Sequence, residues 1–196
     1  MKKIYKFFFL LALPACIILT QACGSSGSDE SKDDNNKNEV TVDDKKVDDV
    51  AKFESKDGNF KITFPAKPTE SSENIPTEVG NISTSTFMYE KSSTEAYMVA
   101  YSDYPSALIE LSNTDDLLTG ARDGVVNNIS GTVDKEDKIT LGDSKGLYFR
   151  ASSTTFYLVY KLYLVKNRLY QIGIMRDGSY PAADDEKAFI DSFELI

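Results

Sequence analysis

The chain has two cysteines, Cys16 and Cys23, and no histidine, and these facts bound its chemistry. Lack of imidazole removes the usual general base near neutral pH, the commonest zinc ligand and the ordinary partner of a serine nucleophile. Ser-x-x-Lys, Gly-x-Ser-x-Gly and Gly-x-x-x-x-Gly-Lys are also missing. Carboxylates remain, and paired acids can hydrolyse glycosides. The acids cluster at Asp115-Asp116, Asp134 to Asp137 and Asp184 to Glu186, at helix starts and polar turns where a solvated acid needs no catalytic role. No catalytic residue is assigned, and the chain is not expected to be an enzyme. Asp29, Ser31 and Asp33 alternate like calcium-loop ligands, but Asp34 stands where the turn needs glycine and Val40 where a bidentate Glu belongs. Neither a metal nor a cofactor is expected.

Binding chemistry has better material. Tyr97, Tyr101, Tyr104, Tyr157, Tyr160, Tyr163 and Tyr170 supply amphipathic rings for a pocket or an interaction face, although strands favour tyrosine for ordinary packing. Tyr101 and Tyr163 are the candidate ligand contacts. Arg122 is the candidate receptor for an anion, with a local salt bridge to the neighbouring Asp123 as the competing reading.

The cysteines lie in a targeting pattern. Lys2, Lys3 and Lys6 precede an apolar run from Phe7 to Leu19, which stops at Thr20, Gln21, Ala22 and Cys23. The run is shorter than the ~20 residues of a spanning helix and reads as an export signal. It resembles bacterial lipoprotein signals, in which the cysteine is acylated and becomes the first mature residue. The resemblance implies a signal peptide over 1–22, lipidation at Cys23, and a protein anchored by lipid in a bacterial cell envelope, at the outer membrane, facing the periplasm or the surface. Thr20 holds the position where such signals prefer leucine. Cys16, preceded by Leu13-Pro14-Ala15, is the alternative, but would leave Ile17, Ile18 and Leu19 at the mature end.

Residues 23–52 form an acidic tether of Ser, Gly, Asp, Glu, Lys and Asn that cannot bury a core. Residues 53–196 suffice for one domain, and with no cysteine there it must be held by apolar packing. Loss of the signal leaves 19 basic against 31 acidic side chains, which argues against nucleic acid and anionic headgroups as partners.

Within the body, Phe60, Ile62 and Phe64 alternate after Asp57-Gly58, predicting a turn and a half-buried strand, with Phe53 on the opposite hairpin arm. Segments 82–90 and 96–104 read as strands. Leu118, Ala121, Val125 and Ile129 recur at helical spacing behind Asp115 and Asp116. Strands follow to Leu141, over 147–152, 156–165 and 169–175, then a helix over 183–191.

The succession DGNFKITFPAKP (57–68), VAYSDYP (99–105), ARDGVVNNISGTV (121–133), KITLGDSKG (138–146), YLVKNRLYQI (163–172) and FIDSFEL (189–195) resembles envelope proteins related to PsbP and DcrB. The resemblance implies an α+β fold, an α/β/α sandwich whose central antiparallel sheet is flanked by helices. It also implies a non-catalytic accessory module that binds another envelope protein. Small-ligand binding or sensing is the alternative, and hydrolysis by paired carboxylates a third. Labelled palmitate is expected to enter the wild type in cells, and Cys23→Ala to abolish the label and leave an unprocessed precursor. If Cys16→Ala does so instead, the anchor is misassigned.

Overall fold

The computed structural model describes residues 51–196 apart from Glu78 and Val79. The signal peptide, Cys16, Cys23 and the tether as far as Val50 lie outside the described residues.

The first hairpin joins β1 (Ala51–Ser55) to β2 (Phe60–Phe64). Its turn is closed by Ser55 Oγ, which accepts the Gly58 N–H at 3.0 Å, and Asn59 takes a left-handed φ of 55°. Next come β3 (Thr69–Thr77), β4 (Gly80–Ser92) and β5 (Glu95–Asp103), with β4 antiparallel to β3 and β5 antiparallel to β4. Two helices follow, α1 (Ser106–Leu111) and α2 (Thr114–Asn128). The side chain of Asn113 accepts the Asp115 N–H at 2.8 Å, and Asp115 and Asp116 occupy the first turn of α2, where a cap and negative charge satisfy the free amides. Ser130, at φ 52°, ends this helix. The chain then runs through β6 (Thr132–Leu141), β7 (Ser144–Ser152), β8 (Phe156–Val165) and β9 (Arg168–Asp177), and closes with α3 (Ala183–Ile190) and β10 (Glu194–Leu195).

Seven strands form one antiparallel sheet in the order β3-β4-β5-β9-β8-β7-β6, and three form a second in the order β1-β2-β10. Period-two alternation sends successive side chains of the large sheet to two different cores. Ala96, Met98 and Ala100 of β5 join Leu158, Tyr160 and Leu162 of β8 in a core closed by Leu118, Ala121, Val125 and Val126 of α2. Tyr97, Val99 and Tyr101 of β5 join Tyr170, Ile172 and Ile174 of β9 on the other face, against Phe60, Ile62 and Phe64 of β2 and Phe189, Ile190 and Phe193 near the C terminus.

This corrects the predicted α/β/α sandwich. Strands take about 57% of the described residues and helices about 20%, so the body is mostly β. The helix α2 closes one face of the large sheet, but the other is closed by the second sheet, with only Phe189 and Ile190 of the short α3 beside it. Phe60, Ile62 and Phe64 present a strand's apolar face, and a strand covers the sheet as part of a second sheet, not as a helix would. The resemblance rested on strand, turn and helix signatures, which do not say which element covers which face.

Gly173 of β9 shows how close the packing is: a Cβ there would overlap the ring of Tyr160, its partner on β8. Gly173→Ala is therefore expected to destabilise by about 1–3 kcal/mol in denaturant unfolding. In a Tyr160→Leu background the same change should cost less, since the colliding ring is gone; an equal cost in both backgrounds would contradict the packing.

Candidate functional site

The nominated tyrosines lie in one row. Tyr101 on β5, Tyr170 on β9 and Tyr163 on β8 are register partners across three strands. Tyr101 is 8% and Tyr163 6% exposed. The Tyr170 ring contacts Tyr101 at 6.4 Å and Phe193 at 5.4 Å, and Tyr163 stacks on Phe193 at 6.2 Å. These rings are packed by other rings and serve as core. The Tyr170 hydroxyl donates to the Gly58 carbonyl at 2.7 Å, tying the large sheet to the first hairpin. Beside it Arg168 holds Asp103 with Nε at 2.6 Å and Nη2 at 2.8 Å, donates to the Asp57 carbonyl at 2.7 Å and lies 4.4 Å above the Tyr101 ring.

Arg122 projects from α2 and donates through Nε and Nη2 to Asp123 at 2.9 and 2.7 Å, and through Nη1 to Glu136 of β6. Both sides of its guanidinium thus meet carboxylates of this chain, and Arg122 does not come near Tyr101 or Tyr163 in a shared contact.

A different group of residues, from β6, β7, β8, α3 and the segment before α3, brings mixed chemistry to the surface. The strand β7 turns Leu147, Phe149 and Ala151 into the helix-side core, so Tyr148 and Arg150 face the opposite way. The Arg150 Nε donates to the Tyr148 hydroxyl at 2.8 Å, that hydroxyl donates to Glu186 Oε1 at 2.8 Å, and Arg150 Nη2 donates to Glu186 Oε2. Arg150 also lies 5.0 Å over the ring of Tyr180, whose hydroxyl donates to Asp134 on β6. Tyr157 meets Tyr180 edge-on at 5.1 Å, and Lys135 sits 5.4 Å over Tyr148. Tyr148, Arg150, Tyr157 and Tyr180 are all half-buried, fixed by one another yet open on one side.

Two acidic clusters seen in the sequence meet here, through Asp134 and Glu186, but each accepts a hydrogen bond from a tyrosine or arginine. That occupancy suits an oriented recognition surface better than a carboxylate pair poised on a substrate. Among the described residues no group of three or more His, Cys, Asp or Glu side chains is arranged to hold a metal ion. Tyr148 and Tyr180 escaped the sequence reading. Their signal was available in the out-of-phase placement of Tyr148 and Arg150 between Leu147, Phe149 and Ala151, and in Tyr180 beside the turn at Gly178. The chain matches no family model, and no curated protein is significantly similar to it.

Burial holds the phenols of Tyr104, Tyr160 and Tyr170 above their usual value of 10, and that of Tyr163, with Asp191 adding to the effect, is pushed up to about 12. At Tyr148 and Tyr180 burial acts first, followed by the hydrogen bonds to Glu186 and Asp134. A pKa raised on folding contributes stability that is complete below the unfolded value of about 10 and is lost as pH climbs through the folded one. The melting temperature is thus expected to be insensitive to tyrosine ionisation below about pH 10 and to fall above it. Phenolate absorbance should show Tyr104, Tyr160, Tyr163 and Tyr170 ionising only above the usual value, as the protein unfolds. Titration of all of them near 10 in folded protein would contradict the burial.

Proposed function

We propose that the chain is a lipid-anchored bacterial envelope protein whose β-rich body is a non-catalytic module for binding another envelope protein. The observation that carries this reading is the half-buried group of Tyr148, Arg150, Tyr157 and Tyr180. Tyrosine and arginine are enriched where protein partners gain most of their binding energy. Here the rings are held by edge-on contact, cation stacking and hydrogen bonds, so little side-chain freedom is left to lose on binding. Lys135, Asp137 and Asp134 surround the rings with charges of both signs, a polar rim suited to a protein surface. The acylated cysteine would keep the module at the membrane, and the tether would let it reach its partner.

The other two readings have less support. A small-ligand pocket built on Tyr101 and Tyr163 meets the fact that both rings are packed against other aromatics. Hydrolysis by Asp134 and Glu186 would first have to release each from its tyrosine or arginine donor.

The test is crosslinking in native envelopes, followed by recovery of the full-length chain. Wild type should recover one discrete partner, and Tyr180→Ala or Arg150→Ala should weaken recovery by the ~2 kcal/mol or more typical of a hot spot, with cooperative unfolding retained. Glu186 keeps the Tyr148 hydroxyl as a hydrogen-bond donor when Arg150 is removed, so the fold should tolerate that loss. Undiminished recovery by both variants would refute the surface. Turnover of an envelope substrate that is abolished by Glu186→Gln in folded protein would refute the binding role.

A further inference from the structure

Among the described residues the two sheets end in four edge strands, and three of them are protected. The strand β6 carries a bulge between Val133 and Lys135 and an unbroken run of charges of both signs from Asp134 to Lys138. Such bulges and mixed charges are how natural sheets block pairing with other chains. The strand β1 is five residues long and carries Lys52 and Glu54, and β10 has two residues.

The fourth edge, β3, is different. It pairs with β4 in unbroken register from Thr69↔Met88 to Thr77↔Gly80 and, among the described residues, with no other strand. Thr69, Glu70, Ser71, Ser72 and Asn74 are exposed. No bulge and no lysine interrupts TESSENIPT, and Pro76, which lacks an N–H, stands near the tip. Residues 69–75 thus offer outward-facing N–H and C=O groups along a regular edge, a template for main-chain hydrogen bonds. The charges on it are Glu70 and Glu73. They belong to opposite faces, since Glu70 is opposite Phe87 and Glu73 opposite Thr84 in the ladder.

We propose that the outer edge of β3, residues 69–75, is a strand-addition site for an extended segment of a partner protein with two basic residues three positions apart. An added strand in either direction sets residues three apart on opposite faces, where Glu70 and Glu73 lie. Charge complementarity also selects against a second copy. The chain carries a net charge of −9, and β3 holds Glu70 and Glu73 with no basic residue, so a second copy laid along the same edge would bring like charges together. The site is separate from the tyrosine and arginine surface, because β3 and β6 are opposite edges of the sheet, so one binding event can fail without the other.

The experiment adds the synthetic peptide Thr-Val-Lys-Thr-Val-Lys-Thr-Val-Thr to the full chain and follows both affinity and amide hydrogen exchange. The expected result is saturable binding that protects alternate amides within 69–75, at least tenfold weaker for Glu70→Lys/Glu73→Lys and for the peptide with glutamates in place of lysines. Neither Glu70 nor Glu73 has an ion pair among the described residues, so the double variant should stay folded; the glutamate peptide tests the charge rule even if it does not. Tyr180→Ala should bind the peptide like wild type. No binding, binding without protection of β3 amides, or equal binding of the lysine and glutamate peptides would overturn the proposal. Envelope-partner recovery that needs Tyr180 while the peptide fails would sink this site alone.

Discussion

Everything in the body depends on the two central strands β5 and β9 being apolar on both faces. Eight of the nine residues of β5 are buried, and so are seven of the ten in β9, which no sheet with a solvated face can offer. Two covers are therefore required. The helix α2 supplies one with Leu118, Ala121, Val125 and Val126, and the phenylalanine strand β2 supplies the other with help from Phe189, Ile190 and Phe193. Truncating one buried phenylalanine costs about 3–5 kcal/mol, whereas an exposed ion pair contributes about 0–1 kcal/mol. Ring packing holds the second sheet in place, and Arg168 with the Tyr170 hydroxyl sets its position by gripping the turn at Asp57 and Gly58.

Much of this was legible residue by residue. The alternation of Phe60, Ile62 and Phe64, the helical spacing from Leu118 to Val125 and the runs of β8 and β9 all express burial through periodicity, and they became the elements expected of them. The β3 strand did not show itself, because TESSENIPT has no apolar alternation: an edge strand lying open to water is held by its backbone ladder to β4, not by a buried face. Layering was misread for a related reason. A strand with one apolar face states that it needs a cover and says nothing about whether it will itself act as one.

The same logic divided the tyrosines. Those in phase with apolar neighbours on central strands, such as Tyr97 and Tyr101, became core, whereas Tyr148 lies out of phase on β7 and reaches the half-open surface. Tyr180 depends on a contact between the segment after β9 and Asp134 of β6, 46 positions apart, and no local pattern encodes that. A ring's chemistry was thus readable, but its role was set by which side of a strand it occupies and by what covers that side.

The central claim is that the packed tyrosines hold the fold while the half-buried ones meet a partner. Site-specific photocrosslinking in living cells tests it most directly, with a photoreactive phenylalanine analogue placed at Tyr157 and, as control, at Glu110 on the exposed side of α1. The account predicts one discrete adduct from position 157 and none from 110. Adducts of the same pattern from both positions, or none from 157 with the protein correctly folded and localised, would contradict it.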